Sequence, residues 1–159
     1  MLQIGEPCPQ FSLPNQNSEL FNSIDYLKKK ILVIYFYPKD NTSGCTAEAC
    51  LFRDNFDELQ TLGCEVIGIS SDSIKSHEKF ALKHQLNFQL LSDTNKTARN
   101  LFKVPNSLFG LIPGRVTYIV NRKGTIEHVI NNMIDTNKHL IETKKIVKKL
   151  NENKDADIA

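Results

Sequence analysis

The sequence predicts an α/β fold in which a central mixed β-sheet carries helices on both faces. Continuous apolar runs, typical of strands buried on both sides, alternate with segments of helical periodicity. The last two predicted strands follow each other across a short turn, which makes that pair antiparallel and the sheet mixed. No linker divides the 159 residues. We therefore expect one domain over 1–150 and a polar, frayed tail over 151–159.

Five strands are predicted from apolar runs rich in β-branched and aromatic residues. The run ILVIYFY, over 31–37, ends at Pro38, and EVIGIS, over 65–70, is a second buried strand. Shorter strands are expected over 88–92, 115–120 and 125–130. The turn NRKG joins the last two.

Four helices are predicted between and after these strands. Apolar residues at three- and four-residue spacing predict the first from Thr46 to Leu62, with Gly63 as a stop signal. A second follows the Ser-Asp-Ser segment before Ile74, a short third covers 95–102, and a fourth begins after Asp-Thr-Asn near the C-terminus.

The composition excludes several classes of protein. Of all residues, 40% are apolar and 24% charged, and the formal net charge is only +2. The chain has no basic stripe for nucleic acid, no apolar run near the roughly 18 residues of a membrane span, and no secretory signal pattern at its N-terminus. We expect no nucleic-acid or membrane partner. The expected location is the cytoplasm, or an organelle stroma or matrix if a transit peptide has been trimmed.

Four cysteines are present: Cys8, Cys45, Cys50 and Cys64. They are too few and too unevenly spaced for the disulfide framework of a small secreted domain. There is no Cys-x-x-Cys motif, so a structural zinc site is not expected. In a reducing compartment a close pair such as Cys45 and Cys50 is typical of catalysis, redox sensing or metal binding. Cys8 and Cys64 are predicted to pack passively.

Cys45 lies where the first buried strand leads into the first helix, the edge at which α/β sheets gather their chemistry. Free N–H groups and the positive end of the helix dipole stabilise a thiolate there. Thr42 can place its hydroxyl beside the sulfur, although it also suits a helix cap, and Pro38 stiffens the loop. A packing residue gains nothing from this polar loop, so Cys45 is predicted to be reactive.

Cys50 lies five residues further along the same predicted helix. On an intact helix the two Cα atoms are roughly 8.7 Å apart and the side chains point about 140° apart around the axis. A disulfide spans at most about 7 Å between Cα atoms. A Cys45–Cys50 bond therefore requires the first turn or two to unwind. Taken alone, Cys50 fits core packing as well as a redox role.

The segment FYPKDNTSGCTAEACLFRD, over 36–54, resembles the active-site segment of the peroxiredoxins, in particular the Q-type group, also called bacterioferritin co-migratory proteins. The Pro-x-x-x-Thr-x-x-Cys core lies at Pro38, Thr42 and Cys45, and the Cys-Thr-x-Glu-Ala-Cys continuation ends at Cys50. The similarity extends over nearly the whole chain, through GEPCPQFSL, GCEVIGISSDS, LLSD and FGLIPGRVTYIVNRKGTIEHVI, with Arg115 at the place of the family's active-site arginine.

The resemblance implies a thioredoxin-like three-layer sandwich and a thiol peroxidase acting on hydrogen peroxide and organic hydroperoxides. Cys45 is then the peroxidatic thiolate and Cys50 the resolving cysteine, which forms a disulfide with it after local unfolding. Thioredoxin or a similar dithiol reduces that disulfide. Thr42 hydrogen-bonds the peroxide, Pro38 shields the pocket, and Arg115 stabilises the thiolate and the charge that develops as the O–O bond breaks. No cofactor or metal is expected.

Other polar residues carry weaker signals. Glu48 belongs to the subgroup pattern, but an acid in a first helical turn is also favourable by itself. Packing or surface roles are expected for the four histidines: His77, His84, His128 and His139. Alanine is more usual in the family at the positions of Cys8 and Cys64. Because the resolving thiol lies in the same chain, a monomer or weak dimer is expected.

Three other functions fit parts of the pattern. A general dithiol oxidoreductase needs Cys-x-x-Cys, so that both sulfurs meet at one helix start. A copper-binding protein of the same fold needs Cys-x-x-x-Cys and a distal histidine. A redox sensor that signals through unwinding of the Cys45 helix is compatible with peroxidase chemistry.

Overall fold

The computed structural model describes residues 1–154. In chain order the elements are β1 (Ser12–Pro14), β2 (Leu20–Asn22), a 3₁₀ helix (Ser23–Asp25), β3 (Ile31–Phe36), α1 (Ser43–Thr61), β4 (Cys64–Ser70), α2 (Ile74–His84), β5 (Gln89–Ser92), α3 (Thr97–Leu101), β6 (Asn106–Ser107), β7 (Ile112–Pro113), β8 (Val116–Val120), β9 (Ile126–Asn131) and α4 (Thr136–Glu152). None of the helices within residues 1–154 is long and apolar enough to cross a membrane.

Five strands form the central sheet in the order β5-β4-β3-β8-β9. β3, β4 and β5 are parallel, whereas β8 runs antiparallel to both β3 and β9. The mixed sheet is as predicted, and each of its strands lies within one residue of the expected bounds. The β8–β9 turn closes at Gly124, whose φ of 82° suits glycine.

Strand β3 lies at the centre of the sheet and every one of its residues is buried. Because side chains alternate across a strand, Ile31, Val33 and Tyr35 face one side and the residues between them face the other. This double burial explains why the sequence here is a continuous apolar run rather than an alternating one.

The two faces of the sheet are covered differently. One face packs against α1, α2 and α4, which contribute Phe52, Leu59, Phe80 and Val147 to the core. The other is covered by α3 and by the N-terminal segment, in which Phe11 and Phe21 stack. The β1–β2 hairpin and the β6–β7 pair were not predicted, because strands of two or three residues carry no readable periodicity.

Several helix boundaries differ from the prediction. Helix α3 covers Thr97–Leu101 rather than 95–102, and α4 begins at Thr136, inside the Asp-Thr-Asn segment that was expected to precede it. Helix α1 begins at Ser43 rather than Thr46. The apolar periodicity starts later than the helix, because first-turn N–H groups need no helical partner and tolerate Ser and Gly. Helix α4 continues to Glu152, past the expected end of the domain. The last part of the expected frayed tail, residues 155–159, lies outside the described residues.

Candidate active site

Cys45 is the third residue of α1, inside the first turn rather than before it. The N-cap is Thr42, with extended backbone, and the loop from β3 delivers the helix start to the carboxyl end of the sheet. Within this turn the backbone N–H groups lack helical acceptors and the helix dipole is positive. The side chain of Cys45 is only 1% exposed. The sulfur of Cys45 thus lies at the positive end of the helix dipole and is shielded from bulk water.

Arg115 lies directly against the Cys45 sulfur. Phe36, the last residue of β3, pairs with Val116, the first of β8, so the residue before β8 sits just beyond the end of β3. From there Nη2 of Arg115 donates to Sγ of Cys45 at 3.2 Å. Gly44 makes room for this approach, since a Cβ at that position would lie 3.2 Å from the same Nη2.

Three donors of the Arg115 fork are engaged at once. Nη2 contacts Cys45, Nη1 donates to Oε1 of Glu48 at 2.7 Å, and Nε donates to the carbonyl of Met133 at 3.1 Å. Burial lowers the pKa of Arg115, but the negative charges of Glu48 and Cys45 raise it more, so the net change is upward. A planar guanidinium with fixed donors is therefore held, charged, against the thiol.

Glu48 lies one helical turn beyond Cys45 and is fully buried. Burial raises its pKa from 4.5 to about 7, against the lowering effect of the charge and hydrogen bond of Arg115. Its second oxygen, Oε2, has no hydrogen-bond partner. Burial of Glu48 is therefore energetically unfavourable in part, because one of its carboxyl oxygens has lost its water without gaining a hydrogen bond.

His139 of α4 borders this carboxyl group. Its Nδ1 lies 3.7 Å from Oε2 of Glu48, too far for a hydrogen bond. Nε2 donates to the carbonyl of Asn132 at 2.8 Å, and Nδ1 accepts the hydroxyl hydrogen of Thr117 at 2.7 Å. Burial, aided by the positive charge of Arg115, lowers the pKa of His139. The imidazole is therefore neutral at pH 7.

Thr42 and Pro38 lie in the loop that leads to the site. Thr42 is exposed and makes no side-chain cap; its hydroxyl donates to the carbonyl of Lys39 at 2.9 Å. A hydroxyl has one hydrogen, so Thr42 must rotate before it can donate to a peroxide. Pro38 is half-buried and lies two residues beyond the end of β3, one residue further than the predicted strand over 31–37 placed it.

All four cysteines are free, and no disulfide joins any two of them. Cys50 lies on the uninterrupted helix α1 and is half-buried, so it does not meet Cys45 in this conformation. Cys8 and Cys64 lie in the two halves of the core, as predicted. Burial raises the pKa of Cys8 to about 12 and that of Cys64 further still, so neither is a reactive thiolate.

A buried polar cluster anchors the loop before α1. Asp40 accepts hydrogen bonds from the hydroxyls of Tyr37 at 2.6 Å and Ser76 at 2.8 Å, and it pairs with Nδ1 of His77 at 2.7 Å. Its amide donates to Asp72. Asp40, Asp72 and His77 have ligand atoms close enough to hold a cation. Those atoms are already hydrogen-bonded to protein groups, and the cluster connects the loop between β3 and α1 to Asp72 and to the first turn of α2.

The resemblance to the peroxiredoxins placed Arg115 at the active site, but Glu48 was interpreted only as part of the subgroup pattern or as a favourable acid in the first helical turn. Its place beside the thiol could have been predicted, because a residue three positions after Cys45 lies on the same face of a helix. His139 could not, since nothing in a lone histidine of a C-terminal helix points to a partner near residue 48. His77 and His139 were expected in packing or surface roles; both are buried, but within polar hydrogen-bond networks.

Comparison with known proteins gives the family. Residues 4–129 match the AhpC/TSA family. Peroxiredoxin Q, chloroplastic, of Triticum aestivum is 44% identical over 146 residues, which cover 92% of this chain and 67% of that protein. Peroxiredoxin Q, chloroplastic, of Sedum lineare is 43% identical over 146 residues, covering 92% and 78%.

Solved structures of related proteins have the same fold as this chain. Peroxidoxin BcpB of Mycobacterium tuberculosis superposes with a TM-score of 0.83 at 29% identity, covering 94% of this chain and 97% of that one. The bacterioferritin comigratory protein of Xanthomonas campestris, from a study of alkyl peroxide reduction, gives 0.84 at 25% identity, covering 94% and 99%. The expected thioredoxin-like sandwich is confirmed by these neighbours. The chain belongs to the AhpC/TSA family, in which it is a thiol-dependent peroxidase of the peroxiredoxin Q type.

Proposed function

We propose that Cys45 is the peroxidatic thiol of this peroxidase. The observation that carries the proposal is the 3.2 Å contact between Nη2 of Arg115 and Sγ of Cys45 in a site closed to bulk water. The Cys45 thiolate attacks one oxygen of a hydroperoxide, the S–O bond forms and the O–O bond breaks. The leaving alkoxide or hydroxide takes up a proton, and Cys45 is left as a sulfenic acid. The fork of Arg115 stabilises the charge that moves from sulfur to the leaving oxygen.

Cys50 is proposed as the resolving thiol. Its sulfur attacks the Cys45 sulfenic acid, a disulfide forms and water leaves. On the intact α1 helix the two Cα atoms are roughly 8.7 Å apart, more than a disulfide spans, so the segment between them must open first. A dithiol reductant, thioredoxin in the simplest case, returns both thiols by two-electron exchange.

We also propose the substrates of the enzyme, its oligomeric state and its location. We assign hydrogen peroxide and organic hydroperoxides as substrates, supported by the alkyl peroxide activity named for the Xanthomonas relative. A resolving thiol in the same chain favours a monomer or weak dimer. Thr42 is proposed to hydrogen-bond the peroxide and Pro38 to shield the pocket, and one domain over 1–150 carries the activity. The enzyme acts in the cytoplasm or in an organelle stroma, the latter in keeping with the chloroplastic relatives.

The test is to add one equivalent of hydrogen peroxide to the reduced protein, quench within seconds and map thiols by peptide mass spectrometry. A loss of two hydrogens at a Cys45–Cys50 bond is expected. Cys45→Ser should abolish peroxide reduction. Cys50→Ser should consume the first equivalent, fail to recycle with thioredoxin and progress to sulfinic acid. Cys64→Ser is the matched control and should cycle normally. Slow oxidation scattered over all four cysteines would overturn the proposal.

A further inference from the structure

Glu48 is a buried carboxylic acid in the part of α1 that has to unwind in the proposed mechanism. It lies between Cys45 and Cys50, in the segment that must unwind before the two sulfurs can meet. Its side chain is fully buried. Opening the segment therefore carries the Glu48 carboxyl group from the protein interior into water, and closing it reverses that transfer.

The surroundings of this carboxyl group compensate it only in part. Arg115 binds Oε1, and Oε2 is left without a hydrogen bond. The other titratable groups that face it are Cys45 on the same helix, His139 on α4 and Tyr35 on β3. Burial keeps both His139 and Tyr35 neutral near pH 7. Among the described side chains that face it, only Arg115 offers a positive charge to an ionised Glu48, and that charge is shared with the Cys45 sulfur.

The remainder of α1 is tied down, so opening can stop short of global unfolding. Nη1 of Arg53 donates to the carbonyl of His84 at the end of α2, at 2.8 Å. Further along, Glu58 pairs with Lys144 of α4 at 3.0 Å. These contacts begin three residues after Cys50. The structure thus divides α1 into an N-terminal part over 43–50 and an anchored part from Arg53 onward.

We propose that Glu48 is a positioning residue whose proton controls the helix: with the carboxyl group protonated the segment over 43–50 stays closed, and loss of that proton favours the open segment in which Cys45 and Cys50 can join. This inference rests on the proposed disulfide chemistry. It adds that the resolving step is coupled to pH through a group other than the two reacting thiols.

The linkage between proton binding and helix opening gives the direction and the size of the pH effect on the segment over 43–50. The pKa of Glu48 is about 7 in the closed helix, because burial raises it, against 4.5 when the group is in water. The closed form therefore binds the proton more tightly, and rising pH favours the open form from about pH 4.5 until it levels off above pH 7. Between pH 5 and pH 8 these two values give an increase of roughly 70-fold in the opening equilibrium.

Amide hydrogen exchange measures this opening without peroxide. We would follow peptides covering 43–50 in the Cys45→Ser/Cys50→Ser protein, in which no thiol titrates in the segment, from pH 5 to pH 8. After correction for intrinsic exchange rates, protection is expected to fall roughly 70-fold, whereas peptides from the anchored part of α1 serve as the internal reference. Adding Glu48→Gln, which keeps an oxygen for Arg115, should make protection independent of pH. Glu58→Gln, on the same helix, should leave the pH dependence intact.

Two results would overturn the inference: protection over 43–50 that does not change with pH, or a pH dependence that persists in Glu48→Gln. The first needs no Glu48 variant, so it stands even if that variant folds poorly. Failure here is distinct from failure of the proposed function. A Cys45–Cys50 disulfide seen by mass spectrometry together with pH-independent exchange removes only the role of Glu48, whereas absence of the disulfide removes the function on which it rests.

Discussion

Replacing Arg115 should slow the reaction with peroxide while leaving the thiol in place. In Arg115→Gln the charge that faces the Cys45 sulfur at 3.2 Å disappears. A hydrogen bond to a charged group contributes about 1.5–3 kcal/mol. At about 1.36 kcal/mol per tenfold, the second-order rate constant should fall by about 10- to 150-fold. Arg115→Lys should lie between, because an ammonium keeps the charge but cannot contact Cys45, Glu48 and Met133 together.

The assay must avoid intrinsic tryptophan fluorescence, since the chain contains no tryptophan. Competition for hydrogen peroxide against a haem peroxidase of known rate measures the first step directly. Arg122→Gln is the matched control, because this arginine binds the carbonyl of Leu62 near the opposite end of the sheet. A rate constant for Arg115→Gln within threefold of the parent at pH 7 would refute the role given to Arg115.

Arg115→Gln should also change how the free energy of unfolding depends on pH. Arg115 is the group that lowers the pKa of Glu48 against the effect of burial, so its removal raises that pKa further above 7. A raised carboxyl pKa means that the folded state binds the proton more tightly than the unfolded chain. The free energy of unfolding of Arg115→Gln should therefore drop relative to the parent as pH rises through and above 7. An unchanged difference between pH 5 and pH 8 in urea titrations would contradict this.

Three further predictions concern the scaffold. Asp40→Asn should lower the free energy of unfolding by about 3 kcal/mol, because the buried His77 loses its carboxylate. In the parent, burial raises the Asp40 pKa, but the hydrogen bond and the charge of His77 outweigh burial, so the net pKa lies below 3.8. The Asp40 carboxylate therefore stabilises the fold above about pH 3.8, and this contribution is lost as the pH falls further. If the parent and Asp40→Asn lost stability in the same way on acid titration, the prediction would be wrong. Gly114→Ala should slow peroxide reduction about 10- to 100-fold in the competition assay. The new Cβ would lie 2.3 Å from the Pro105 carbonyl oxygen, so the backbone must shift and Arg115 is displaced with it. An unaltered rate constant would refute this prediction. Leu59→Ala should cost about 2–5 kcal/mol by urea denaturation with little change in rate, and a large loss of rate in the folded variant would be inconsistent with its place remote from the thiol.

Much of the site was predictable because its signals are local. Cys45 after a polar turn, with Thr42 and Pro38 before it, lies in one short segment, and the strand-to-helix junction follows from the apolar run over 31–37. Arg115 was placed through similarity to the peroxiredoxins, since a lone arginine at a strand start has no local signature. The start of α1 was missed by three residues, because first-turn positions need no apolar periodicity.

By itself the sequence determined the five strands of the central sheet, the four helices between and after them, the mixed character of that sheet and the segment that carries the thiol predicted to be reactive. These depend on periodicity and turn residues, which act over a few neighbours. Only the tertiary structure decided that Arg115 meets Cys45, because these residues are 70 apart in sequence and their contact depends on the pairing of β3 with β8. It likewise decided that Glu48 is buried with one oxygen unpaired and that His139 lies beside it, since desolvation is a property of the packed core and not of any single segment.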